Sequence, residues 1–200
     1  TPADVTNPVI LVTSSINGEG KSYVATNLAI SLSLLQKKVA LVGLDIRKPM
    51  LANYLNLPSQ GCLTSYLSDD SYTLEDTIVT SSIKNLDILP AGVIPPNPSE
   101  LLQSERLDVL FTELRKRYDC VVIDSAPVAL VSDTFLLNRV ADMTIYVTRA
   151  NYTTFDLIDL LNQTHEQQRL PKMVAVLNGV DAKKIGYGYG YGYGHQTTKK

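Results

Sequence analysis

The chain has 200 residues, 44% of them hydrophobic, with 18 basic against 20 acidic side chains and a formal net charge of -2. That is enough apolar material for one folded core, which excludes a disordered chain, and the balanced charge without a basic stripe argues against nucleic acid as a partner. No apolar run approaches the roughly 20 residues that cross a bilayer and no basic-then-apolar leader opens the chain, so this piece is expected neither to span a membrane nor to be secreted by itself.

In chain order, Pro2 and Pro8 precede a first strand expected over Val9 to Thr13. The segment Ser15-Ile16-Asn17-Gly18-Glu19-Gly20-Lys21-Ser22 follows, and Ala25, Leu28, Ala29, Leu32 and Leu35 then recur at helical spacing as a predicted buried face. A second apolar strand, Val39 to Leu44, ends in Asp45-Ile46-Arg47-Lys48-Pro49. A third strand is expected over Leu86 to Leu89; Pro90, Pro95, Pro96 and Pro98 then keep Leu89 to Ser99 extended, with a helix starting at Ser99-Glu100. Leu107, Leu110, Phe111, Leu114 and Tyr118 form another helical face ahead of the strand Cys120 to Ile123, which ends in Asp124. Strands Met143 to Val147 and Met173 to Leu177 complete the set. Near-continuous apolar strands alternating with helical segments predict an α/β fold with a mostly parallel, doubly wound sheet flanked by helices.

Cys62 and Cys120 are far apart and unsuited to a metal site, so a reduced compartment without a disulfide is the expectation. His165 and His195 are isolated and read as surface residues. Five of the eleven glycines and four of the eleven tyrosines crowd into Gly186 to Gly194, a low-complexity Gly-Tyr run expected to be a disordered tail. The folded domain is therefore expected over residues 1–185 and a flexible tyrosine-rich tail over 186–200.

The chemistry concentrates at the ends of the predicted strands. A strand-loop-helix context is what a phosphate-binding P-loop requires. Backbone N–H groups at Asn17, Gly18, Glu19 and Gly20 would face phosphate oxygens, Lys21 would reach the β- and γ-phosphates, and Ser22 would ligate Mg²⁺, with Tyr23 beside them. Ser15 stands where the consensus has glycine, and a structural Gly-x-Gly turn is the alternative. Asp45 lies where open α/β sheets bind ligands, or else caps the turn before Pro49 with Arg47 and Lys48 solvated. Val121-Val122-Ile123-Asp124 has the form of a Walker B whose carboxylate holds Mg²⁺; a helix N-cap is the alternative reading. With Lys21 and Ser22, the two acids make an ATP-Mg²⁺ site the economical account.

These motifs together resemble the cytoplasmic domains of bacterial tyrosine kinases (BY-kinases) that control capsule or exopolysaccharide synthesis, along nearly the whole chain. The resemblance rests on Val12-Thr13-Ser14 leading into Gly18-Glu19-Gly20-Lys21-Ser22, on Asp45-Ile46-Arg47-Lys48-Pro49, on Ala91-Gly92 with Pro95-Pro96-Asn97-Pro98-Ser99-Glu100-Leu101-Leu102, on Asp124 with Pro127 and Asp133, and on the C-terminal tyrosines. It implies a P-loop NTPase fold and autophosphorylation in trans. The working residues would be Lys21, Asp45 and Arg47; the metal ligands Ser22, Asp45 and Asp124; the phosphoacceptors Tyr187, Tyr189, Tyr191 and Tyr193. Asn178 falls where related P-loop proteins contact adenine, and Asn followed by Gly is also an ordinary turn signal. Neighbouring copies in a ring, a membrane-spanning polysaccharide co-polymerase region, fused or separate, and a phosphotyrosine phosphatase would be partners, at the cytoplasmic face of the bacterial inner membrane.

Two departures stand out. The family pattern reads Asp-x-Asp-x-Arg, whereas Gly43-Leu44-Asp45-Ile46-Arg47 lacks the first carboxylate, and no Glu/Arg-rich helix precedes Val9. The first supports an alternative, a catalytically weakened nucleotide-binding regulatory module; the second favours a monomer for this piece. A positioning or metal-trafficking ATPase of the deviant-Walker-A type would carry a lysine where Ile16 stands.

Overall fold

In the computed structural model, which describes residues 5–55, 57 and 63–181, strands and helices alternate in the order that the apolar runs set. The elements are β1 (Val9–Ser14), α1 (Lys21–Leu34), β2 (Val39–Leu44), α2 (Leu51–Tyr54), α3 (Leu63–Ser68), β3 (Val79–Thr80), β4 (Leu86–Leu89), α4 (Pro98–Gln103), α5 (Glu105–Arg117), β5 (Cys120–Ser125), α6 (Asp133–Leu136), β6 (Met143–Arg149), α7 (Phe155–Glu166) and β7 (Met173–Asn178). One sheet contains all seven strands in the order β3-β4-β2-β5-β1-β6-β7. The chain runs from β1 outward to one edge, returns through β5, and finishes at the other edge, which makes the fold doubly wound. Every pairing is parallel except that of two-residue β3 with β4.

The strands form where they do because β1, β2 and β5 are buried along their whole length. Helices cover both of their faces, so polar alternation is absent and the sequence reads as solid Val, Ile and Leu. One core cluster packs α3, α4 and α5 against Leu11, Val42 and Ile123; the other packs α1 against Val12, Leu41 and Val122. Each of these side chains contributes about 1.5–3 kcal/mol by leaving water. All five residues of the face predicted for α5 and its C-cap are buried. Acids in its first turn and Arg115, Lys116 and Arg117 in its last suit the helix dipole.

Helix α1 follows expectation in part: Ala25 and Ala29 are buried, and Leu28 and Leu32 pack partly buried against the core. Its buried positions are Lys21, Ala25, Thr26, Ala29 and Ser33, while Leu35 is 72% exposed. The reason is Lys21: residues 21, 25, 29 and 33 share one helix face, and turning the lysine inward carries the small residues with it. Alanine and serine then let the helix lie close against the sheet, and the leucines shift to the flank. Helix α4 begins at Pro98, one residue before the predicted start, with Asn97 as N-cap and proline in the first turn. Four strands run one or two residues past their predicted ends, to Ser14, Ser125, Arg149 and Asn178.

Cys120 is buried and free, and His165 is exposed. Cys62, His195, the tail 186–200 and its tyrosines Tyr187, Tyr189, Tyr191 and Tyr193 lie outside the described residues. Among the described residues no helix is long and apolar enough to cross a membrane.

Candidate functional site

Strand register assembles the site. Val12 of β1 and Gly43 of β2 both stand opposite Asp124 of β5. Asp124 follows Val122 by two residues and so faces α1, as Val122 does. Asp45 lies two residues beyond Gly43, its amide donating to the Asp124 carbonyl at 3.1 Å. Between them stands Lys21, the first residue of α1: Nζ is 3.0 Å from Asp45 Oδ2 and 4.0 Å from Asp124 Oδ1.

This cluster is almost dry, with Lys21, Asp45 and Asp124 respectively 8%, 5% and 2% exposed. Burial pushes the Asp124 carboxyl up to about 6, while the Lys21 charge and a Ser22 hydrogen bond pull the other way and the Asp45 charge adds to the rise. Asp45 Oδ2 and Asp124 Oδ1 accept no hydrogen bond among the described residues. Two buried carboxylate oxygens that share a single lysine are suited to a second, divalent cation, which would satisfy both whenever Lys21 turned toward phosphate. The other Asp45 oxygen accepts from the Lys48 amide at 3.0 Å, so this side chain also caps the turn toward Pro49. Asp124 lies inside β5 and caps no helix; Ser132 holds that position for α6.

The loop between β1 and α1 turns on two glycines, Gly18 at φ 89° and Gly20 at φ 101°, a region that side chains disfavour. Ser15, in the place of a consensus glycine, is fully buried and hydrogen-bonded to the Tyr146 hydroxyl at 3.0 Å. The Glu19 carboxylate is also fully buried: it accepts from the Ile16 amide at 2.8 Å and from Thr153 Oγ1 at 2.5 Å. Its side chain braces the loop from within, leaving only its backbone for a ligand. The Asn17 carbonyl accepts from Tyr152 Oη at 3.0 Å, and the Gly18 carbonyl from Arg149 Nη1 at 2.8 Å. Asn178, at the end of β7, donates to the Glu19 carbonyl at 3.0 Å. Ser22 and Tyr23 occupy the first turn of α1, Tyr23 largely in solvent.

Arg47 lies neither free in solvent nor in contact with Lys21. Its Nε donates to Asp133 Oδ2 at 2.5 Å, and its Nη2 to Asp133 Oδ1 at 3.2 Å and Ser99 Oγ at 3.0 Å. Ser99 in turn donates to Asp133 Oδ1 at 2.8 Å. The segment after β2 is thus tied to α4 and α6. Gly43 leaves no room unused: a Cβ there would lie 3.3 Å from the Ala91 nitrogen and from Leu51 Cδ2. Ser99 and Asp133 belong to the motifs that carry the resemblance, without a contact assigned to either, whereas no sequence motif marks Arg149, Tyr152 or Thr153.

Chemically, the arrangement offers a glycine loop at a helix N-terminus, a buried lysine, and two carboxylates with spare oxygens, which is a set for a nucleoside polyphosphate and a divalent cation. A protein-family profile described as AAA domain matches residues 7–174. The tyrosine-protein kinase YwqD of Bacillus subtilis is 35% identical over 85% of this chain and 71% of its own length. The tyrosine-protein kinase wzc of Salmonella typhimurium is 32% identical over 90% of this chain, which spans 25% of that protein. The kinase domain of Escherichia coli tyrosine kinase ETK superposes with a TM-score of 0.83 at 28% identity, covering 95% of this chain and 74% of that one.

Proposed function

Because the chain belongs to the bacterial tyrosine-kinase family, on a P-loop fold, we propose that it is an ATP-dependent protein-tyrosine autokinase acting in trans on the C-terminal tyrosines of a neighbouring copy. The observation that carries the reading is the buried Lys21, Asp45 and Asp124 set, in which one lysine faces two carboxylates whose facing oxygens accept no hydrogen bond among the described residues, a donor set suited to a metal ion. Ser22, Asp45 and Asp124 would hold Mg²⁺, which when bound neutralises charge on the phosphates. The backbone of residues 17–20 cradles the phosphates and Lys21 draws toward them, leaving the carboxylates. An acceptor hydroxyl among Tyr187, Tyr189, Tyr191 and Tyr193 forms the new O–P bond to the γ-phosphorus as the bond to ADP breaks, and its proton passes to a carboxylate. With glycine at 43, Asp45, just past the end of β2, is the acid left to take it.

On this reading residues 1–185 are the kinase domain and 186–200 the acceptor tail. A Gly-Tyr repeat suits threading into a neighbour's groove, and each phosphate adds about -1.5 to -2 charges, which loosens a ring of copies. The activity serves capsular or exopolysaccharide synthesis beside a membrane-spanning co-polymerase region at the inner face of the membrane, with a phosphotyrosine phosphatase to reverse it. Gly43 favours a second reading, a nucleotide-binding regulatory module that transfers no phosphate.

Intact-mass and phosphosite mapping after incubation with ATP and Mg²⁺ separates the two. The kinase reading expects phosphate confined to Tyr187, Tyr189, Tyr191 and Tyr193, abolished by Lys21→Met. No phosphate on the parent but clear phosphorylation of Gly43→Asp means a scaffold disarmed at one position. No phosphate on either, with ATP still bound, establishes the regulatory module instead.

A further inference from the structure

We propose that Arg149, Tyr152, Thr153 and Asn178 are positioning residues that hold the phosphate loop in its binding shape before nucleotide arrives. The inference rests on reading residues 15–22 as that loop. Three consecutive carbonyls, those of Asn17, Gly18 and Glu19, are each taken by a side chain from the far end of the sequence: Tyr152, Arg149 and Asn178. Thr153 grips the Glu19 carboxylate as well. In a planar trans peptide the C=O of one residue and the N–H of the next point in opposite directions. Fixing the carbonyls of residues 17, 18 and 19 therefore fixes the N–H groups of Gly18, Glu19 and Gly20, and aims all three away from the clamp. Those are the donors a phosphate needs.

The clamp also explains the loop composition. A Cβ on Gly18 would lie 2.8 Å from the Tyr152 hydroxyl, and one on Gly20 would lie 2.1 Å from Asn178 Nδ2. Two glycines let the clamp approach, yet they make an untethered loop conformationally free, and that freedom would have to be lost on binding. The sheet supplies the rigidity: β6 pairs with β1 up to Ser14 opposite Val147, and with β7 so that Arg149 stands opposite Asn178. The Arg149 guanidinium lies 5.3 Å from the Tyr152 ring centroid, so two of the four members support each other.

The test uses the full chain with Tyr152→Phe, which deletes one hydroxyl, and Arg149→Ala. Tyr118→Phe is the control: it removes the same hydroxyl from a tyrosine that donates to Asp87, away from the loop. ATP-Mg²⁺ affinity is read by calorimetry, nucleotide-free stability by thermal melting, and KM and kcat by phosphate transfer. Tyr152→Phe is expected to weaken binding about threefold to tenfold and Arg149→Ala about tenfold or more, as a rise in KM at unchanged kcat. Their melting temperatures should fall no further than that of Tyr118→Phe, whose affinity stays that of the parent. If the Tyr152 and Arg149 variants bind like a parent whose binding Lys21→Ala abolishes, or weaken binding no more than the control does, the clamp is overturned and the loop assignment stands. If the parent binds no ATP-Mg²⁺, both fall.

Discussion

Replacing Lys21 by methionine should destabilise the folded, metal-free chain, and by an amount that depends on pH. The ammonium lies 3.0 Å from one carboxylate oxygen and 4.0 Å from another, with all three side chains at or below 10% exposure. At an effective dielectric of about 20 these distances correspond to about 5.5 and about 4 kcal/mol of attraction, set against the cost of drying three charges. Removing one partner from such a buried group costs about 3–5 kcal/mol, because the remaining charges are left uncompensated. Methionine nearly matches the lysine stem, so little of this is lost packing.

The pH dependence follows from Asp124, whose carboxyl burial raises from 3.8 to about 6. A raised folded-state value means that the folded chain holds the proton more tightly than the unfolded one. Stability from this group is thus present below 3.8 and lost as pH rises through about 6, a loss of about 3 kcal/mol at 1.4 kcal/mol per pH step. Without Lys21 the carboxyl rises further, so the deficit of Lys21→Met relative to the parent is largest above about pH 7 and shrinks on acidification. Urea unfolding with a chelator at about pH 5 and about pH 8 checks this: at a slope of about 2 kcal/mol per molar, the midpoint should fall by about 1.5–2.5 M at the higher pH and by less at the lower. Equal shifts at both pH values, or a shift below about 0.5 M at the higher one, would refute a buried, charged cluster.

Other outcomes follow from neighbouring groups. Gly43→Asp puts a third carboxylate opposite Asp124 and a Cβ 3.3 Å from the Ala91 nitrogen and Leu51 Cδ2, so the metal-free variant should melt lower than the parent and gain more from Mg²⁺; an unchanged melting temperature refutes the crowding. Asp133→Asn removes the negative charge and one of the two oxygens that accept from Arg47 and Ser99; it should cost about 1 kcal/mol, as Arg47 is partly in water, and slow phosphate transfer by loosening the segment that carries Asp45. Thermal melting and initial rates check it, and an unaltered rate removes the network from function. Burial pushes the Cys120 thiol up from 9.0 to about 11. The thiol should therefore resist alkylation near neutral pH until the chain unfolds, and its contribution to stability, intact below 9.0, should be lost as pH rises through about 11, about 3 kcal/mol in all. Tyr146, pushed up to about 12 by burial, acts in the same direction. A Cys120→Ala variant whose stability falls over that range as steeply as the parent's would show that the thiol is not responsible.

Much of the fold could be read directly because buried parallel strands leave a one-dimensional mark. Val39-Ala40-Leu41-Val42 and Cys120-Val121-Val122-Ile123 are apolar on both faces, and no helix of that length would need to be. The ends were less legible: Ser14, Ser125, Arg149 and Asn178 remain in strands because a neighbouring strand continues beside them, which their residue types do not reveal. The stripe of α1 was legible except at its end and its polar edge: Leu35 lies in solvent past the helix, and the inward turn of Lys21 brings Thr26 and Ser33 inside. Short α2, α3 and α6 span too few turns to show a period.

By itself, then, the sequence determined the sheet-forming segments, the Gly18 to Ser22 loop and the acids at the two strand ends, since each depends on residues within a few positions of one another. Tertiary structure alone decided that Arg47 meets Asp133 and Ser99, 86 and 52 residues away, and that Tyr152, Thr153 and Asn178 reach back 135, 134 and 159 residues to the phosphate loop. Such contacts follow from strand order: β5 and β6 come to flank β1 only when the sheet closes. No local pattern encodes which distant side chain will then face which.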